Sequence, residues 1–162
     1  EVVTLDWDGF AAGTSIFTTI YLTEAWDTNH SLAQAHPDGV GDDIRQMLSL
    51  TDLFRPGLDD ARSQLAAWRQ SLLDLFGQVD LLALPAMPVF PPRLADLTPD
   101  SLVDVIIEIT QYIALFNAAG TPCTAQPIRA AGTSIPASLQ LVGPPGGEEL
   151  LLATARQVEA AG

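Results

Sequence analysis

Two histidines, one cysteine and two Gly-Thr-Ser triplets are where this 162-residue chain offers residue types that could do chemistry. His30 and His36 lie in a polar stretch of loop composition, with no cysteine or paired carboxylate at ligand spacing, so no metal site is indicated. A Ser-His-Asp triad needs a serine on a strand-to-helix elbow, and neither histidine has one to serve. Cys123 has no second cysteine to pair with and no histidine near it in sequence, so a buried, inert thiol is the expected state. The glycine-rich turn Gly143-Pro144-Pro145-Gly146-Gly147 before a helix has the outline of a phosphate loop, but the chain contains no lysine to reach a phosphate. All seven basic residues are arginines. Chemistry that needs a neutral amine base is closed to such a chain, because arginine stays protonated.

The elements that would position these residues can be read in order. Glu1 to Leu5 is rich in β-branched residues and predicts a strand. Apolar residues at Phe17, Ile20, Tyr21 and Ala25 predict a helix from about Phe10 to Thr28. Asp42 to Leu50 predicts a short helix with acids in its first turn. Leu58, Ala61, Leu65, Trp68, Leu72 and Leu75 form one stripe of a helix that Gly77 stops. Val79 to Leu84 is a continuous apolar run of strand length, as expected of a central strand covered on both faces. Prolines 85, 88, 91 and 92 then stiffen the loop that follows.

Thr98-Pro99-Asp100 predicts a helix start, with a hydroxyl cap and proline at the first helical position. The stripe Leu102, Val105, Ile106, Ile109, Tyr112, Ile113 and Phe116 extends that helix to Asn117 and should bury against a sheet. Cys123 to Ile128 predicts a strand that Pro127 confines to an edge or bulge. Ala137 to Val142 alternates Leu139 and Leu141 with Ser138 and Gln140, as a strand with two unlike faces would. Its neighbouring leucines suggest a central place for it, with the Gln140 amide satisfying buried backbone groups. Leu151, Leu152, Ala155 and Val158 pack a closing helix.

Asn117, Gly120 and Pro122, then Pro136, Leu139, Gln140, Leu141 and Gly143, then Glu148, Glu149, Leu150 and Leu151 follow one another in a recognisable order. So do Asp80, Leu81, Leu82, Pro85 and Pro88 earlier in the chain. The set resembles the C-terminal end of the amidase signature family. Ala86 stands where that family often has threonine.

The resemblance implies an α/β fold, part of a mixed β-sheet covered by helices, with residues 1–162 forming the C-terminal portion of a single amidase domain. It implies hydrolysis of a small carboxylic amide by a serine nucleophile, a second serine and a lysine, all on an N-terminal half. No catalytic residue carries over to this chain, whose Gly13-Thr14-Ser15 and Gly132-Thr133-Ser134 lack the flanking glycines of the family's serine segment. Substrate-pocket candidates are Ala86 and Met87 after the expected central strand, where α/β sheets place ligands, and Phe116. For Met87 and Phe116, core packing is the competing reading. No cofactor and no metal are implied.

The same terminal pattern belongs to the transamidating subunit of glutamyl-tRNA(Gln) amidotransferase, and a non-catalytic interaction module is the other alternative. The expected partners are the N-terminal half of the enzyme, a small amide, and possible further copies of the chain. A net charge of −13 argues against phosphate-backbone contacts with nucleic acid. No apolar run reaches the roughly 18 residues of a membrane span, and no signal peptide is evident. A soluble, cytoplasmic location is expected. The chain begins at Glu1, which suggests a piece of something longer.

Overall fold

The computed structural model describes residues 1–7, 9–98 and 101–161. Its helices are α1 (Gly9–Ala35), α2 (Asp42–Ser49), α3 (Thr51–Phe54), α4 (Leu58–Phe76), α5 (Leu102–Ala119) and α6 (Glu148–Ala161). Its strands are β1 (Leu82–Pro85), β2 (Cys123–Ile128) and β3 (Ala137–Val142). The strands form one antiparallel sheet in the order β1-β3-β2. Across it, Leu84, Gln140 and Ala125 stand in one row, and Leu82, Val142 and Cys123 in another. Because side chains alternate along a strand, both rows present the same face.

That face meets the helices. Val142 and Phe116, each 0% exposed, join Ile16, Trp68, Leu72, Leu75 and Leu115 in one core, with Leu82 and Leu84 packed against it. The opposite face carries Leu141 and Leu139 onto Leu151, Ala155 and Val158 of α6. Aromatic rings link the layers. Phe10 meets Phe116 and Tyr112 edge-on, and Trp68 donates its indole N–H to the Gly9 carbonyl at 2.7 Å.

Five expectations are corrected. Glu1 to Leu5 forms no strand and Val2 is 98% exposed, since β-branched residues make a strand only where a neighbouring edge can accept their hydrogen bonds, and none does here. The first helix does not stop at Thr28 but runs to Ala35, so His30 is helical. Nothing breaks that helix before Pro37, which forces His36 out of it. Threonines 18, 19 and 23 are tolerated inside it because each hydroxyl bonds the carbonyl four residues back. The apolar run at Val79 to Leu84 yields a strand only from Leu82, and it lies at the edge of this sheet, with β3 in the centre.

The fifth correction concerns α5. It packs chiefly on α1 and α4 and touches the sheet core through Phe116, leaving Ile106 44% and Ile113 41% exposed. Its stripe is therefore not fully covered by this chain. The expected start at Thr98 falls partly on Pro99 and Asp100, which lie outside the described residues. Thr98 and Ser101 exchange hydrogen bonds in the turn before the helix, Ser101 N–H to Thr98 Oγ1 at 3.2 Å and Thr98 N–H to Ser101 Oγ at 3.1 Å, while the N-cap residue of α5, Ser101, makes no side-chain cap bond.

The crossing of α1 and α5 depends on Gly13. A Cβ there would lie 2.3 Å from a methyl of Leu115, a side chain only 2% exposed and unable to retreat. Gly13→Ala should therefore destabilise the fold by roughly 1–2 kcal/mol, overpacking outweighing the smaller gain in helix propensity. A urea midpoint equal to or above that of the parent would refute this.

Candidate functional site

The residues that could do chemistry are mostly engaged in holding the fold. Gly13-Thr14-Ser15 lies inside α1, where the Ser15 hydroxyl donates to the Ala12 carbonyl at 3.2 Å and Gly13 receives Leu115. Gly132-Thr133-Ser134 is a turn: Gly132 has φ 78°, and Thr133 Oγ1 accepts the Ile135 N–H at 3.0 Å. His30 stacks on Trp26 with centroids 5.3 Å apart, and its Nδ1 pairs with the Trp26 carbonyl at 2.9 Å. Among the described residues no group of His, Cys, Asp and Glu is disposed to hold a metal ion. No described helix is long and apolar enough to cross a membrane.

What the fold does bring together lies at the C-terminal end of α5. Gly120, with φ 71°, ends that helix in a left-handed turn. The Gly120 N–H returns to the Asn117 carbonyl at 3.1 Å and the Thr121 N–H to the Phe116 carbonyl at 3.2 Å. This is the Schellman pattern, and it requires a residue free of a Cβ at that position. It swings the chain directly into β2, so that Thr121 and Cys123 face back toward Ile113 and Asn117. Gln140, next to β2 on the central strand, closes the group. Together Ile113, Asn117, Thr121, Cys123 and Gln140 line a cavity of about 240 Å³.

No lining side chain is charged at neutral pH. Cys123 is not fully buried as expected, because it stands on an edge strand and keeps part of its surface open to solvent at the cavity. The partial burial it does have pushes its thiol up from the ordinary value, and a weak hydrogen bond to the Thr121 carbonyl at 3.6 Å only partly opposes this. The thiol therefore stays protonated at neutral pH and is a poor nucleophile. Its alkylation by iodoacetamide should be slower than that of a free thiol at pH 7.5 and should accelerate only as pH rises past the ordinary thiol range. A rate at or above that of a free thiol would show that its surroundings favour the thiolate.

Gln140 is 1% exposed. Its Nε2 reaches Cys123 Sγ at 4.0 Å, and its Oε1 is buried without a partner among the described residues. The amide thus does not satisfy buried backbone groups, contrary to the expectation from the strand pattern. The central position is as expected, but the ladder already pairs the backbone on both sides of β3 and leaves the amide nothing to bind. Since an unmet buried acceptor costs about 1–3 kcal/mol, Gln140→Leu should be neutral or stabilising. A fall in melting temperature of several degrees would contradict that.

The other site candidates lie elsewhere. Phe116 is wholly enclosed between Phe10, Trp68 and Val142, so its ring presents no surface to a ligand, and core packing accounts for it. Ala86 is buried where its N–H extends the ladder to the Ser138 carbonyl at 2.9 Å, and Met87 is half-buried beside it. Neither lines the cavity at α5. A larger hollow between α1 and α2 is lined by Tyr21, Glu24, Thr28, Asn29, Ile44 and Met47 among others, and it joins no nucleophile to a base. On α1, Glu24 and Asp27 pair with Arg62 and Arg55 at 3.5 and 2.8 Å. The Arg55 guanidinium beside Asp27 lowers that carboxyl from its usual value.

The sequence matches the amidase family over residues 11–152. The chain belongs to the amidase family. It is 34% identical over 137 residues to a glutamyl-tRNA(Gln) amidotransferase subunit of Halobacterium salinarum, covering 81% of this chain and 32% of that protein. It is 32% identical over 136 residues to the AmiB2 protein of Mycobacterium tuberculosis, covering 80% of this chain and 29% of that one. This amidase-family chain therefore spans about a third of the length of these relatives.

Solved structures show the same fold. A crystal structure described as an amidase superimposes with a TM-score of 0.77 at 24% identity, over 94% of this chain and 36% of that one. A 6-aminohexanoate cyclic dimer hydrolase superimposes with a TM-score of 0.80 at 18% identity, over 99% and 37%. The expected α/β arrangement with amidase-signature relatives is thus the observed one.

Proposed function

We propose that this chain supplies the C-terminal part of an amidase that hydrolyses a carboxylic amide to an acid and ammonia or an amine. In this reading two serines and a lysine come from an N-terminal part outside these 162 residues, and the present chain contributes sheet strands, covering helices and part of a substrate wall. The observation that carries it is a family match over most of the chain, combined with coverage of about a third of the relatives and a complete lack of lysine. The proton acceptor that such chemistry needs must be able to lose its charge, and none of the seven arginines can.

The experiment is to join the coding sequence upstream of Glu1 to this chain and assay ammonia release from small amides. Turnover that disappears when one upstream serine becomes alanine supports the reading. An upstream sequence with no serine-rich segment and no lysine overturns it. The 34% identity to a glutamyl-tRNA(Gln) amidotransferase subunit favours one further reading, in which the ammonia comes from glutamine and goes to a charged tRNA. Glutaminase activity that depends on co-purifying subunits separates the two.

The same reading assigns the companion part a place to bind. The outer edge of β1 has no strand beside it among the described residues, and Val89 and Phe90, which follow it in the chain, are exposed. Unpaired strand edges and apolar patches recruit another chain. Alone, the chain should self-associate as its concentration rises and bind a hydrophobic dye; joined to its companion it should do neither. Sedimentation showing a dye-silent monomer at high concentration would contradict this.

A further inference from the structure

The helix-facing side of the sheet is covered only in part. Over β1 and β3 it carries the core, with Leu82, Leu84 and Val142 packed under the helices. Along β2 the same side is bare: Cys123, Ala125 and Pro127, which alternation puts there, are all exposed. The other side of β2 is not, since Thr124 and Gln126 are half-buried and Gln126 Nε2 donates to the Ala155 carbonyl of α6 at 2.6 Å. Beside the bare strip runs α5. At 3.6 residues per turn Ile106, Thr110, Ile113 and Asn117 form one line along that helix, and Ile106, Ile113 and Asn117 are exposed. Line and strip meet at the cavity that Ile113, Asn117 and Cys123 line together. They form a groove with α5 as its wall and β2 as its floor. None of these residues is charged, in a chain with 20 acidic residues. The acids of the helix, Asp104 and Glu108, are exposed on its opposite side.

We infer that this groove seats the apolar face of a helix from the N-terminal part of the enzyme. Such an occupant presupposes the companion part of the amidase reading, but it uses a surface other than the β1 edge. The chain spans about a third of the length of its relatives, so the remaining two thirds offer ample chain to fill the groove. Packed helices lie about 8–10 Å apart, and neighbouring strands about 4.8 Å. Because Phe116 and Val142 put α5 over the central strand, a second helix beside α5 lies over β2. It covers wall and floor at once. A strand added at the outer edge of β2 would not, because it would extend the sheet and leave Ile106 and Ile113 in water. Pro127 also removes one backbone donor from that edge. Apolar, uncharged surface of this kind marks a contact rather than a solvated face.

The test uses the chain joined to its upstream coding sequence, with Cys123→Ser and one new cysteine at a time, read on the labelled peptide. Ile106→Cys and Ala125→Cys should react with a maleimide at least about tenfold more slowly than Asp104→Cys and Glu108→Cys on the back of the helix. A photo-reactive maleimide carried on Ile113→Cys should link to upstream residues three and four apart, the spacing of one helix face. If Ile106→Cys does not fold, Ala125→Cys on the exposed floor decides. Equal rates in the groove and on the back overturn the inference. So do links to alternate residues, which mark a strand, and protection that grows with protein concentration, which marks a second copy. Because no turnover is read, this failure is separate from that of the amidase reading: an active joined enzyme with an open groove would sink only the former, and an inactive one with a covered groove only the latter.

Discussion

Incubated with small carboxamides, this chain by itself should release no ammonia above a buffer blank. Amide hydrolysis at neutral pH needs a nucleophile within reach of a base, and enzymes gain a factor of about a million or more from such arrangements. Here the described residues form no such pair. The Ser15 hydroxyl is spent on Ala12, Ser63 on Asp59 and Ser49 on Gln46, each donating to a backbone carbonyl. His30 holds the Trp26 carbonyl and stacks on its ring, His36 stands exposed at a helix end, and the Cys123 thiol is held protonated by its partial burial. Lysine is absent. Ammonia release that is abolished by changing any one serine of this chain would show that a nucleophile had been overlooked, and would also remove the need for a companion part.

The parts of the fold that could be read from sequence are those with local punctuation. The strands Cys123–Ile128 and Ala137–Val142 fall where they were expected, because Gly120 and Pro122 mark the start of the first and Pro136 and Gly143 bound the second on both sides. Pro127 lies on an edge strand, where a residue without an N–H does no harm. Helix α4 also follows its stripe, from Leu58 to Phe76. The failures concern partners and faces. Val2 and Val3 have strand propensity but pair with no strand of the sheet, and Leu82 to Pro85 is apolar enough for a central strand although β3 holds that place. Neither fact is local.

The candidate site was less legible still. Ile113, Asn117, Thr121, Cys123 and Gln140 come from a helix, its terminal turn and two strands, and no spacing announces them. Asn117 and Gln140 stood out only as marks of family resemblance. Alternation put Gln140 on one face of its strand, but whether that face met water or helices depended on where α5 lay. That the amide would find no backbone partner followed only from the ladder on either side of it.

Phe116→Ala should be the most damaging single substitution in the chain, with a loss of about 3–5 kcal/mol. The ring is 0% exposed and stands where the helical layer meets the sheet: it is edge-on to Phe10 of α1 at 6.3 Å, tilted against Trp68 of α4 at 6.4 Å, and shares a core with Val142 of β3. Truncation would open a void bordered by elements that cannot close together, since Gly13 already brings α1 against Leu115 as near as side chains permit. The cost thus includes a cavity as well as the lost burial. Domains are stable by only about 5–15 kcal/mol, so such a loss removes a large fraction of the total. Phe116→Leu, which keeps most of the volume, should cost less than half as much. Urea unfolding of the two variants checks both values. A loss below about 1 kcal/mol for the alanine variant, at unchanged dependence on urea, would mean that the ring is not a core anchor and would restore Phe116 to the wall of a substrate pocket.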